Sequence, residues 1–277
     1  MGRKANWLAR VGIVPLLGAT LASGQAYRTP ARASWTEDPA TTATITWDRT
    51  EAGRGTVRYG TSTNYGGLER DGGGTHLHAI TLRGLEPGTR YFYEASSTDG
   101  YAESGTFRTA PAAGQPLHFV FHGDLQGGID ETGAQGVADQ IAAEDPPFIV
   151  SLGDMAEEAF SGSGFETWDV FFRICSNELA RAVYMPTMGN HDAAPGSDVT
   201  RGLYQRLFAL PEPSLGNGFY SFAVGNVRFI SLNTEIEAVS QGDWLARELQ
   251  AAAYDPAAVW TIALAHRPPY SYGERAG

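Results

Sequence analysis

The stretch Phe148-Ile149-Val150-Ser151-Leu152-Gly153-Asp154 decides the fold class. It reads as a short apolar strand that runs through a glycine into a carboxylate. Three more apolar strands end in the same manner. Residues 117–121 lead through His122 and Gly123 to Asp124, and residues 182–188 run into Gly189-Asn190-His191-Asp192. Residues 259–265 run directly into His266. Helices predicted near 132–144, 165–179, 201–210 and 242–253 alternate with these strands. A hairpin of 219–224 with 227–232 turns at Gly225-Asn226. Such alternation describes a layered α/β domain. Ligands of open α/β sheets gather beyond the carboxyl ends of the strands, where these four side chains are expected to meet.

Two carboxylates, an amide oxygen and a histidine form a mixed hard and borderline donor set. That set suits Zn, Mn or Fe better than Ca or Mg. Each fragment alone has a plainer reading. Asp124 or Asp154 singly is a turn or cap residue, and His266 singly is a hydrogen-bonded histidine of core or surface. A third Gly-Asp pair, Gly242-Asp243, reads as a helix start. The ordered set decides, because one metal site explains four strand ends that otherwise need four separate explanations.

Upstream, the pattern is different. From about 27 to 109 the chain is a series of short strands, predicted at 42–47, 56–59, 78–82, 90–94 and 105–108, with Gly and Pro turns between them. Residues 42–47, Thr-Ala-Thr-Ile-Thr-Trp, alternate as a half-buried strand does. Several short strands with regular turn signals describe a β-sandwich. Residues 110–116 read as a linker. The organisation expected is therefore a sandwich over 27–110 and an α/β domain over 116–277.

Arg3, Lys4 and Arg10 precede an apolar run at 11–22 and a group of small residues, a pattern that reads as a cleaved signal peptide over 1–25. The run is too short to span a membrane comfortably and contains Pro15. The expected location is secreted or periplasmic, with no membrane span after cleavage. Cys175 is the only cysteine, so no disulfide can form within the chain. Lys4 is the only lysine among many arginines, a bias of GC-rich bacterial genomes. The composition of 42% hydrophobic and 18% charged residues supports real cores and excludes a disordered chain. A net charge of −11 repels phosphate backbones and argues against a nucleic-acid scaffold. It does not exclude an anionic substrate, because bound cations reverse the local field.

The ordered motifs Gly123-Asp124, Gly153-Asp154, Gly189-Asn190-His191-Asp192 and His266-Arg267-Pro268-Pro269-Tyr270 resemble those of the calcineurin-like metallophosphoesterases. The preceding sandwich resembles the fibronectin type III-like N-terminal domain of purple acid phosphatases, most clearly in Val57-Arg58-Tyr59-Gly60, residues 82–93 and residues 107–111. The resemblance implies a sandwich followed by a four-layer αββα domain. It also implies two divalent or trivalent transition-metal ions, Fe, Zn or Mn, and a phosphate ester substrate, attacked by a metal-bridging hydroxide. Carried over, Asp124 binds the first metal and Asp154 bridges both. Asn190 and His266 bind the second metal, and His191 stands beside the phosphate as acid or charge stabiliser.

Three features depart from the family pattern. Glu157 stands where purple acid phosphatases carry a tyrosine, which removes the reason to expect iron in particular. Gln126 stands where wider relatives place a metal-binding histidine; its amide oxygen either ligates the first metal or bonds the turn backbone. No Gly-His-x-His motif occurs by Gly277, so the resemblance implies a domain lacking its last strands, with apolar faces uncovered. The readings that compete with a phosphate monoesterase are a phosphodiesterase of the same superfamily and a catalytically incompetent protein whose sandwich binds a surface or partner.

Overall fold

The computed structural model describes residues 29–126, 131–157, 165–192, 204, 206–212 and 218–270. The leader read at 1–25 lies outside them, as does much of the helix expected at 201–210. Seven strands come first: β1 (Arg32–Ser34), β2 (Ala43–Gly53), β3 (Gly55–Gly60), β4 (Gly67–Arg70), β5 (Thr75–Leu82), β6 (Arg90–Ser97) and β7 (Ala102–Arg108). Then follow β8 (Val120–His122), α1 (Glu131–Ala143), β9 (Phe148–Ser151), α2 (Phe165–Ile174), α3 (Ser176–Leu179) and β10 (Val183–Pro186). The hairpin β11 (Tyr220–Val224) and β12 (Val227–Ser231), then α4 (Val239–Tyr254) and β13 (Trp260–Leu264), complete the elements.

All five predicted sandwich strands form, and β1 and β4, too short to show alternation, join them. Sheet β4-β3-β6-β7 faces β5-β2-β1. The second of these does not stop at the linker. It continues through β10, β9 and β8 as one six-stranded sheet, with Ala33 of β1 paired in parallel to Val183 of β10. The smaller sheet β11-β12-β13 packs against it through Phe222 and Phe229 on Phe148, with ring centroids 6.2 and 5.6 Å apart. Helix α4 covers the outer face of that sheet, where Glu248 accepts from Ser221 and Arg228 and Trp244 meets Phe219. Helices α2 and α3 back the large sheet, where Phe171 meets Tyr184 at 5.8 Å. This is the expected four-layer arrangement. On the sheet edges, Phe121 of β8 is 64% exposed and Trp260 of β13 is 65% exposed.

Three expectations need correction. Alternation in 42–47 predicts one wet face, yet every residue from Ala43 to Asp48 is buried. The polar face is dry because segment 206–209 lies across it. There Arg206 pairs with Asp48 at 2.9 Å, Ser34 Oγ donates to Ala209 O at 2.5 Å, and Arg32 donates to Leu207 O. Helix α4 starts at Val239, so Gly242-Asp243 lies inside it rather than opening it. The single helix expected over 165–179 breaks at Cys175 into α2 and α3.

Arg32 is the main tie between the two halves. It is 2% exposed, donates to Thr29 Oγ1 and Pro30 O at 2.9 Å, and lies over the rings of Phe172 and Phe208, 5.0 and 5.4 Å from their centroids. A buried guanidinium is tolerable only when its donors and ring contacts replace water. Beside it, Trp35 is fully buried, 5.1 Å from Phe148 and 6.2 Å from Phe222. Trp35→Ala is expected to cost about 3–5 kcal/mol. Because one sheet spans both halves, the loss is expected in a single unfolding transition. Denaturant titration followed separately by far-ultraviolet dichroism and tryptophan fluorescence checks this, and two separated transitions would contradict it.

A second buried group lies under β8. His122 Nε2 is 3.2 Å from Tyr184 Oη and 3.6 Å from Glu178 Oε1, with Glu178 fully buried. Burial pushes Glu178 up to about 7, partly offset by the neighbouring Cys175 thiol. Burial also pulls His122 down to about 4. Both are therefore held neutral over the pH range between those values. A carboxyl with a raised pKa binds its proton more tightly in the folded chain, so its contribution to stability falls as pH climbs from about 4.5 through about 7. His122 acts in the opposite sense, losing its destabilising effect as pH rises from about 4 to 6.5. Comparison with Glu178→Gln isolates the carboxyl. The variant is expected to gain about 3 kcal/mol relative to the parent between pH 4.5 and 7.5, read as a pH-dependent difference in denaturation midpoint.

Candidate metal centre

Strands β8, β9 and β10 are parallel, so their carboxyl ends lie on one side, and β13 brings a fourth end from the facing sheet. Asp124 and Asp154 both sit in the left-handed backbone region, with φ of 57° and 53°. That conformation costs on the order of 1 kcal/mol for a non-glycine residue and persists where the surroundings over-determine it. The surroundings here are two loops pressed together. A Cβ on Gly153 would fall 2.6 Å from Gly189 N, and one on Gly189 would fall 2.2 Å from Asp154 N. Only glycine permits that approach, so each strand-end glycine has a steric reason.

One carboxylate locks the two loops. Asp192, fully buried, accepts from Gly189 N and Asp154 N through Oδ2 at 2.9 and 2.8 Å, and from Met155 N and Ala156 N through Oδ1 at 2.8 and 3.0 Å. Burial pushes its pKa up to about 7, and these amide donors work against that rise. The sequence reading gave Asp192 no role. Its position closing the Gly-Asn-His-Asp run was the available signal, but nothing in a run of turn-prone residues tells which side chain turns inward.

The locked loops bring the predicted side chains together. One ligand atom from each of Asp124, Asp154 and His266 lies within 4.8 Å of the others, the one such group among the described residues. His266 Nε2 is 3.3 Å from Asp154 Oδ2 and 3.1 Å from Asn190 Oδ1. Its Nδ1 sits 3.0 Å from Leu152 O, a partner that keeps the proton on Nδ1 and leaves Nε2 facing the carboxylates. His191 donates its main-chain N–H to Asp154 Oδ1 at 2.9 Å, while its ring Nε2 stands 3.9 Å from Asp154 Oδ2 and its Nδ1 3.6 Å from Glu157 Oε1. Glu157, at the position of the expected tyrosine, thus faces the histidine. The Gln126 amide nitrogen donates to Asp154 O at 2.8 Å and Asp124 O at 3.2 Å, tying the loops, so only its oxygen is left for a metal.

The charges are poised for a cation. Burial alone would raise the Asp154 pKa, yet hydrogen bonds from His266 and from the His191 amide hold it below the ordinary value. Burial likewise opposes protonation of His266, and Asp154 overrides it. The imidazole Nε2 and the carboxylate oxygen therefore face each other at 3.3 Å, each favouring the charged form of the other. Clustered carboxylates, an amide oxygen and a tautomer-fixed imidazole fit a transition-metal ion.

Residues 29–109 match the family described as the purple acid phosphatase N-terminal domain, and residues 117–277 match the calcineurin-like phosphoesterases. An uncharacterized protein of Mycobacterium tuberculosis is 31% identical over 229 residues, 71% of this chain and 43% of its own. Purple acid phosphatase 23 of Arabidopsis thaliana is 27% identical over 275 residues, 84% of this chain and 59% of its own. Acid phosphatase type 7 of Homo sapiens is 29% identical over 216 residues, 70% of this chain and 45% of its own. The chain thus spans about half the length of the curated relatives it matches. Among solved structures, purple acid phosphatase PPD1 of yellow lupin superposes with a TM-score of 0.71 at 19% identity, covering 87% of this chain and 51% of that one. Two facing sheets that bring Asp124, Asp154 and Asn190 of one and His266 of the other to converging strand ends, behind a sandwich of this kind, agree with the family matches: the chain belongs to the calcineurin-like phosphoesterase family, with the N-terminal domain of the purple acid phosphatases.

Proposed function

We propose that the protein is an exported phosphoesterase that hydrolyses phosphate monoesters with two bound transition-metal ions, Fe, Zn or Mn. The observation that carries the reading is the meeting of Asp124, Asp154 and His266 within 4.8 Å on loops held by Asp192. Membership of the family and the phosphatase names of its relatives support the same reading. When bound, the metal pair supplies positive charge to the phosphoryl group and acidifies a coordinated water.

The protein's own residues do the rest. Asp124 would hold one ion, Asn190 and His266 would hold the other, and Asp154, with a carboxylate faced by both histidines, would be shared by the two. His191 enters the same space with Nε2 and gives its proton to the departing alkoxide oxygen, which is a strong base. Glu157 faces Nδ1 of that ring and keeps Nε2 directed inward. The basic start and apolar run at 1–25 support export. Among the described residues no helix is long and apolar enough to cross a membrane.

Asp154→Ala is expected to abolish both turnover and retention of the metal pair. His191→Ala is expected to leave metal content nearly unchanged while lowering kcat by roughly a hundredfold or more. Metal analysis after dialysis, alongside hydrolysis of a chromogenic phosphate ester with added Mn or Zn, reads both, and equal metal loss in the two variants would refute the division of roles. For export, amino-terminal sequencing of secreted material is expected to begin between Gly24 and Arg28, whereas an intact Met1 there would contradict it.

A further inference from the structure

Arg267 follows His266 directly, at the carboxyl end of β13. It is followed by Pro268-Pro269, and a residue before proline is confined to extended backbone, so the arm has little freedom at its base. Its guanidinium is carried on Glu235, with Nε 2.9 Å from Oε1 and Nη2 3.4 Å from Oε2. Glu235 extends from the neighbouring strand end, past β12, which pairs in parallel with β13. Its side chain is only 12% exposed, against 51% for that of Arg267. It is fixed in turn: its N–H donates to Asn233 Oδ1 at 2.9 Å, and Thr234 Oγ1 donates to Oε1 at 3.0 Å. Asn233 is clamped by Gln241 of α4, accepting from its amide at 2.6 Å and donating back at 3.1 Å. A chain of contacts therefore runs from a buried helix residue to an exposed cation beside the metal ligands.

An exposed ion pair contributes little to stability, so this much anchoring is out of proportion to a purely structural role. Glu235 occupies the Nε side of the fork. Nη1 and the outer edge of the guanidinium have no partner among the described residues and face solvent. That edge presents two parallel N–H donors, the geometry that matches two oxygens of a phosphate. Arg267 is the next residue after His266, whose Nε2 is 3.3 Å from Asp154 Oδ2, so the arm that carries the cation starts at the site itself. In a chain of net charge −11, a fixed cation at the mouth also offsets the repulsion an incoming dianion meets.

We propose that Arg267, positioned by Glu235, binds the non-esterified oxygens of the phosphate group at the metal centre. This rests on the phosphoesterase reading above and names a substrate-binding residue for that site. The chain is loaded with Mn or Zn and titrated with inorganic phosphate in a calorimeter, and phosphate is also tested as a competitive inhibitor of chromogenic ester hydrolysis. Arg267→Ala is expected to weaken phosphate binding by about 10- to 100-fold, the range of a charge-assisted bidentate contact. KM is expected to rise with it while kcat changes far less, and metal content should stay unchanged. Arg267→Lys is expected to recover only part of the affinity, because a point charge lacks the fork. Unchanged phosphate affinity in Arg267→Ala, with an active parent, would overturn this inference and leave the phosphoesterase reading standing. Metal loss in that variant would overturn it too, by showing that Arg267 acts through the ligands. A loaded parent that neither binds phosphate nor hydrolyses the ester would overturn both.

Discussion

Four main-chain N–H groups from two different strand ends converge on the carboxylate of Asp192, and the metal-binding geometry depends on that convergence. Without it, the loops after β9 and β10 would have to hold Asp154 in a left-handed conformation against its intrinsic preference. With it, the amides that a sharp turn leaves without partners are satisfied, and the carboxylate of Asp154, itself buried, is kept free of them. The glycines at 153 and 189 make the approach sterically possible, and Asp192 makes it favourable. The two carboxylates thus divide the work: that of Asp154 is left facing the imidazoles of His191 and His266, and that of Asp192 is consumed by the backbone.

Buried polar groups that find partners within the fold also mark the junction of the two halves. Asp48, Arg32 and Ser34 are buried together under segment 206–209, where Asp48 pairs with Arg206 and Arg32 and Ser34 donate to the carbonyls of Leu207 and Ala209. A sandwich joined by a flexible linker would leave such residues on a wet face. Here they seal a sheet that continues from β2 through β1 to β10, so the strands that lead to the candidate site share a sheet with the sandwich. Glu178 and His122 follow a different solution under β8, where burial leaves each neutral rather than paired as ions. That keeps an uncompensated charge away from the strand that leads to Asp124.

Much of this was legible in the chain. Apolar runs ending in Gly-Asp, Gly-Asn-His-Asp and His announced strand ends with a shared purpose, because a short buried strand has a sequence signature and so does the turn that ends it. The sandwich strands were legible for the same reason, since alternation at 42–47 and the Gly and Pro turns between the short strands are local properties. β1 was not legible: three residues carry no periodicity, and its importance lies in pairing with β10, far away in the chain. Alternation also misled at β2, because it reports which face is apolar and not whether the polar face is wet.

The sequence by itself determined the order of the layers and the strand ends on which Asp124, Asp154, Asn190 and His266 stand. These follow from local patterning and from the chemistry each side chain can perform. Only the tertiary structure decided which polar residues turn inward to serve the backbone and which remain for a ligand. Asp192 and Asp154 are both aspartates at strand ends, and Gln126 and Asn190 are both amides beside a turn. Their roles separate through distances of about 3 Å to groups supplied by other strands. Hydrogen bonds are short-ranged and directional, so a side chain's duty is fixed by what the fold sets next to it, and the order of residues along the chain does not contain that information locally.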